Sequence, residues 1–197
     1  MARYRGPSCR VCRGKGEKLF LKGKRCLSEK CSFSRRPYPP GAGGANIKTR
    51  KISDYGKALY EKQKAKHIYG VLERQFKNYF KMAKNLPGVC GENLLILLER
   101  RLDNVIYRVG WAESRASARQ MVIHNHFKVG GKKMNIPSYL VKISDSIEPD
   151  KELELQSSSI PSWLKLDGKK IEVIRFPERK EIPITIDENK IVAFYSK

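Results

Sequence analysis

The chain has 197 residues, a formal net charge of +21, and 40% hydrophobic against 31% charged residues, so it can bury a real core in one large or two small domains. No apolar run approaches the roughly 20 residues of a membrane span and no signal peptide precedes Arg3 and Arg5, which excludes a membrane protein and leads us to expect a soluble, intracellular, cytoplasmic one. The charge is uneven: residues 148–197 hold nine Lys/Arg and ten Asp/Glu, leaving 32 against 10 for the first three quarters, an asymmetry that points to a polyanionic partner.

In chain order, four of the five cysteines come first, as Cys9-Arg-Val-Cys12 and, thirteen residues on, Cys26-Leu-Ser-Glu-Lys-Cys31. Two close pairs joined by a loop are how a segment with few apolar residues encloses a zinc ion in four thiolates. From Arg3 to Arg36 the only sizeable apolar side chains are Tyr4, Val11, Leu19, Phe20, Leu21, Leu27 and Phe33, too few to offset the entropy of ordering the segment. An iron–sulfur cluster would use the same four thiolates. Two disulfides, disfavoured in a reducing compartment, and four unrelated cysteines are the remaining readings.

Around the cysteines stand Arg3, Arg5, Arg10, Arg13, Lys15, Lys18, Lys22, Lys24 and Arg25, followed by Arg35 and Arg36. A charge run is often only a solvated face, but a metal-fixed knuckle would hold these cations in a defined array suited to folded RNA. Pro37-Tyr-Pro-Pro-Gly41 and Ala42-Gly-Gly44 form a linker, and Lys48, Arg50 and Lys51 add cations beyond it.

Ser53-Asp54 then predicts an N-capped helix through about Lys66, and Gly70 precedes a second through about Lys84, stopped by Pro87-Gly88. Phe76 and Phe80 are expected to pack, while Lys62, Lys64, Lys66 and Arg74 fall on the polar faces as candidate RNA contacts. Cys90 reads as a helix-start residue. Leu94, Leu98, Leu102, Val105, Ile106 and Val109 recur at intervals of three and four, predicting one helix with a buried stripe. Ser114 caps the next helix, on which Ala118, Met121 and Val122 face inward and Arg115 and Arg119, one turn apart, are expected to point outward. Phe127-Lys-Val129 alternates into Gly130-Gly131, a tight hairpin whose tip carries Lys132-Lys133, with Lys128 on the strand before it. The stretch from Ile147 to Pro161 reads as a loop or weak strand. Trp163-Leu-Lys-Leu, Lys170-Ile-Glu-Val-Ile-Arg and Lys190-Ile-Val-Ala-Phe-Tyr195 read as β-rich runs that extend the hairpin.

Two helices, a hairpin, arginines on one helix and lysines on the turn suit a phosphate backbone. The stretch Leu98-Glu-Arg-Arg-Leu-Asp-Asn-Val, Ser114-Arg-Ala-Ser-Ala-Arg119 and Phe127-Lys-Val-Gly-Gly131 resembles the RNA-binding module named after small-subunit ribosomal protein four. Over nearly the full length, Met1-Ala-Arg-Tyr-Arg-Gly-Pro with the four cysteines, Arg35-Arg-Pro-Tyr-Pro-Pro-Gly41, Ser53-Asp-Tyr-Gly56, Tyr69-Gly-Val-Leu-Glu-Arg-Gln-Phe76, Gly91-Glu-Asn-Leu-Leu95 and Ile191-Val-Ala-Phe-Tyr-Ser-Lys197 resemble the bacterial-type small-subunit ribosomal protein four family. The resemblance implies a non-enzymatic primary binder of small-subunit ribosomal RNA that nucleates subunit body assembly. It also implies a protein that lines the path by which messenger RNA enters, touches small-subunit ribosomal protein five, and bears on translational accuracy. Cys9, Cys12, Cys26 and Cys31 match the metal-binding members, Lys48, Arg50 and Lys51 the basic messenger-facing segment, and Arg115 and Arg119 the module's RNA-facing positions. The departures are Ala42-Gly-Gly for Gln-His-Gly, Gly130 for Asn, Ala193 for Glu, and an Ile147–Pro161 segment too short and too polar for the long helix most members carry there.

The expected class is α+β: a basic, metal-binding arm of four cysteines with its linker over 1–46, a helical domain over 47–97, and an RNA-binding module with a β-rich extension over 98–197. Two other classes compete. Arg101-Leu-Asp103 is also the tripeptide that holds the catalytic aspartate in one class of pseudouridine synthases, although here it lies on the module's own helix, where a structural ion pair is the simpler role. A zinc-containing DNA-binding regulator would need a helix aimed at base edges, and none stands out.

Overall fold

The computed structural model describes residues 3–41, 43–44, 52–151, 153 and 160–196. The chain divides into two compact units, residues 1–81 with 185–197, and residues 82–184.

In the first unit the arm forms helix α1 (Ser8–Lys15), a 3₁₀ turn at Gly23–Cys26 and a short helix α2 (Ser32–Arg35). Its buried apolar side chains are Leu19 and three thiols, Cys12, Cys26 and Cys31, while Phe20 and Leu27 are exposed. The arm leans on helix α3 (Asp54–Tyr69): the Tyr60 hydroxyl donates to Lys15 O and to Glu17 Oε1 at 2.9 Å, and Lys15 Nζ lies 3.9 Å from the Tyr60 ring centroid. Helix α3 starts where the sequence places it, with Ser53 Oγ accepting from Gly56 N at 3.2 Å. It ends on left-handed Gly70, whose φ of 63° a side chain would strain. Helix α4 (Glu73–Lys84) buries Phe76, Tyr79 and Phe80 along one face.

The terminal run expected as a strand is helix α8 (Glu188–Tyr195), packed on α3. Asp187 caps it by accepting from Lys190 N at 3.3 Å. Ile191, Phe194 and Tyr195 share one face at helical spacing, so a helix buries Ile191 completely and stacks Tyr195 on Phe80 with centroids 4.5 Å apart. Packing overrides the β-propensity of Ile, Val, Phe and Tyr.

In the second unit the expected single helix through Leu98 is two, α5 (Cys90–Glu99) and α6 (Leu102–Val109). Arg101 between them is extended and bridges to Leu140. Leu102 N donates to Tyr139 O at 2.8 Å and Val141 N to Arg100 O at 2.9 Å, so the break exchanges helical hydrogen bonds for bonds to the segment around Leu140. The apolar stripe survives the break because both helices face buried interior: Leu94, Leu98, Leu102, Val105, Ile106 and Val109 are all fully buried. Helix α7 (Arg115–Ile123) follows, capped by Ser114 Oγ accepting from Ser117 N at 3.2 Å.

Strands β1 (Phe127–Val129), β2 (Lys132–Lys133), β3 (Ser146–Pro149), β4 (Leu164–Asp167) and β5 (Lys170–Val173) form one antiparallel sheet in the order β2-β1-β3-β5-β4. Gly130 and Gly131, with φ of 56° and 76°, make the tight turn that pairs Val129 with Lys132. Ile147 and Ile171 face each other across β3 and β5 and pack with Trp111, Phe127 and Trp163 in the core. Thus Ile147–Pro149 is strand, and residues 152 and 154–159 of the polar segment lie outside those described.

Candidate nucleic-acid interface

Helix α7 is expected to present Arg115 and Arg119 outward. The structure turns Arg119 inward. It is 5% exposed, and its Nη1 donates to Asp103 Oδ2 at 3.2 Å. Asp103 also receives Arg101 through two bonds, Nε to Oδ1 at 3.1 Å and Nη2 to Oδ2 at 2.7 Å, so one buried carboxylate ties two arginines. Asp103 is therefore an ion-pair partner of two arginines, the structural role expected of its tripeptide. Arg115 is half-buried, lying over the Tyr107 ring at 4.4 Å with Nε donating to Asn104 Oδ1 at 2.7 Å. Asn104 in turn donates to Glu99 Oε2 at 2.6 Å, and Glu99 accepts from Nε and Nη2 of Arg108, at 2.8 and 2.6 Å. The hydrophilic spacing that suggested an exposed face belongs to a buried polar network joining α5, α6 and α7. Spacing alone does not report which polar side has partners.

At the hairpin the cations are exposed or nearly so. Lys132 is exposed, whereas Lys128 and Lys133 converge on Asp150 at 3.1 and 3.5 Å. Asp150 was missed in the sequence. Only the pairing of Phe127 with Pro149 brings it beside β1, where Asp150 N donates to His126 O at 2.8 Å. The two lysines hold its carboxyl below the ordinary aspartate range, the Lys128 hydrogen bond foremost.

On α3, three expected RNA contacts are paired with acids instead, two of them buried and Lys66 half-buried. Lys62 and Lys64 are buried, at 4% and 7% exposure. Lys62 Nζ meets Glu73 Oε1 at 2.8 Å and lies 4.1 Å from the Phe194 ring centroid, Lys66 Nζ meets Glu73 Oε2 at 2.7 Å, and Lys64 Nζ meets Glu17 Oε2 at 2.9 Å. Tyr195 OH adds a bond to Glu73 Oε1 at 3.0 Å. Burial pushes the Glu73 carboxyl up, but the bonds from Lys62, Lys66 and Tyr195 outweigh it and bring it down to about 2. Arg74, by contrast, is exposed.

In the arm, Arg3, Arg10, Lys22, Arg35 and Arg36 are exposed. Arg13 reaches from α1 to the segment after α2, donating to Tyr38 O at 3.0 Å and Pro39 O at 3.3 Å. Lys48, Arg50 and Lys51 lie outside the described residues.

All four arm cysteines are free thiols, and among the described residues no group of three or more His, Cys, Asp or Glu side chains is arranged to hold a metal ion. Backbone N–H groups nonetheless point at the sulfurs: Lys22 N donates to Cys26 Sγ at 3.3 Å, and Cys31 is bonded by the backbone of Ser34 and Phe33, which lowers its thiol below the ordinary value. Burial pushes the Cys12 thiol up, and the charges of Cys26, Cys9 and Cys31 push the same way.

The Ribosomal protein S4/S9 N-terminal domain family matches residues 3–99, and the S4 domain family matches residues 100–147. Small ribosomal subunit protein uS4 of Thermodesulfovibrio yellowstonii is 54% identical over the whole of both chains. The chain belongs to the uS4 family. Members from Dictyoglomus turgidum and Caldicellulosiruptor bescii are 53% and 52% identical, again over the full length of each chain.

Proposed function

We propose that the chain is a structural component of the small ribosomal subunit that binds its ribosomal RNA mainly through phosphates. Full-length similarity to uS4 proteins supports this reading. The observation that carries it is the exposure of cations on the arm and at the hairpin tip, in a chain many of whose other cations are paired inside. Base-edge reading by α7 is disfavoured, because its two arginines are committed to Asp103 and Asn104. A DNA-reading helix is thus disfavoured. The same commitment of Asp103 supports a non-enzymatic role.

The finer reading is that the protein binds early, at an RNA junction, and helps nucleate the subunit body. Lys48, Arg50 and Lys51 would line the path of messenger RNA, a surface would meet small-subunit ribosomal protein five with consequences for accuracy, and the protein would reside in cytoplasmic ribosomes. Cofractionation of the native protein with small subunits tests the core of this proposal, and its absence from them would overturn it.

We also read Cys9, Cys12, Cys26 and Cys31 as ligands of a zinc ion, with an iron–sulfur cluster as the alternative. Supporting this are the four-thiol donor set, the N–H···S bonds at Cys26 and Cys31, and an arm whose buried side chains are mostly sulfur. A bound ion would supply the cross-link that the missing apolar core cannot. Metal analysis of the purified protein, with and without Cys26→Ser, should give one equivalent of zinc and then none. Iron with labile sulfide would change the cofactor, and a metal-free protein with a protected arm would remove it.

A further inference from the structure

The two long helices of the first unit are both lysine-rich, yet they handle charge oppositely. The α3 lysines Lys62, Lys64 and Lys66 are paired with Glu73 and Glu17. On α4, Arg74, Lys77 and Lys81 are exposed and make no ion pair among the described residues. They recur at intervals of three and four, so they share one side of the helix at one cation per turn of about 5.4 Å. The opposite side is anchored, with Phe76, Tyr79 and Phe80 buried and Phe76 and Phe80 stacked on Tyr195. The only acid of α4 is Glu73. Lys62, Lys66 and Tyr195 engage it, so it does not compete for the stripe.

We infer that Arg74, Lys77 and Lys81 form a phosphate-tracking line on α4, an RNA contact that the long helices of the first unit offer in place of the α3 lysines and beside the cations of the arm. The inference rests on the proposed ribosomal RNA binding and assigns it to a surface. An RNA strand fits better than an acidic protein, because the cores of protein interfaces are depleted of lysine and built on apolar and aromatic side chains. An ordered helix also presents its charges without the ordering cost that a flexible basic tail would incur on binding.

The test is the salt dependence of binding between the full-length protein and small-subunit ribosomal RNA. Each lost phosphate contact lowers the slope of log affinity against log salt by about 0.7–0.9, so Arg74→Gln/Lys77→Gln/Lys81→Gln should lower it by about 2–3. Between 50 and 200 mM salt the variant should lose about 20- to 40-fold less affinity than the parent loses. Melting should be unchanged, and single variants Lys77→Gln and Lys81→Gln serve if the triple variant misfolds. Lys165→Gln, an exposed cation on β4, should leave the slope alone. An unchanged slope in the α4 variants, or an equal fall with Lys165→Gln, overturns the inference. So does retained RNA binding with lost incorporation into subunits, which would point to an acidic protein partner. If the parent protein binds small-subunit RNA no better than an unrelated RNA, the functional reading itself fails.

Discussion

Arg119 on α7 and Asp103 on α6 are joined by a 3.2 Å ion pair inside the second unit, with the Asp103 side chain also held at 2.7 Å by Arg101. Removing one partner of a buried charge pair leaves the other uncompensated, which typically costs about 3–5 kcal/mol. Asp103→Ala should therefore lower the urea midpoint sharply with little change in m. Arg119→Ala should also reduce stability, since Asp103 then keeps, among the described residues, Arg101 alone. If Arg119→Ala weakens RNA binding while the melting temperature stays at the parental value, the residue is a surface contact.

Glu73 gives the first unit a defined acid sensitivity. Its folded carboxyl titrates at about 2, below the ordinary glutamate value of about 4.3. The stability it contributes is thus complete above the higher value and lost as pH falls through the lower one. Glu73→Gln should flatten the fall in melting temperature between about pH 4.3 and 2. A pH profile identical to the parent's would mean that Lys62, Lys66 and Tyr195 do not bind a carboxylate there in solution.

Asp150 engages Lys128 and Lys133, so its carboxylate competes with a phosphate for both lysines. Asp150→Asn should free both lysines, tighten RNA binding several-fold at low salt, and steepen the salt slope by about 0.7–0.9 for each new phosphate contact. Asp167→Asn, at the far β4–β5 turn, is the matched charge control and should do neither. Equal tightening by both would reduce the effect to net charge.

Capping residues and glycines were legible in the sequence because their chemistry is local: Ser53, Ser114 and Gly130-Gly131 do what their types require. The apolar stripe from Leu94 to Val109 identified core residues correctly but hid the break at Arg101, since two helices facing buried interior leave the same pattern. Residues 190–195 illustrate the opposite failure. Their β-branched and aromatic character suggested a strand, and only the Asp187 cap and the burial of Ile191 on α3 make them helix. The candidate RNA contacts divided by whether an acid was near in space. Glu17 sits 47 positions from Lys64, Asp103 16 from Arg119 and Glu73 11 from Lys62, and no periodicity reports such partners. Exposed Lys77 and Lys81 did carry a signal, their i, i+4 spacing, which the paired Lys62 and Lys66 share.

On the proposed reading, this chain recognises small-subunit ribosomal RNA without other subunit proteins. The most direct measurement mixes the purified protein with that RNA, no other protein present, and follows complex formation against excess unrelated RNA. A one-to-one complex that survives the competitor and weakens steeply with salt is the expected result; displacement by unrelated RNA at equal concentration, or binding only once other subunit proteins are added, would contradict it.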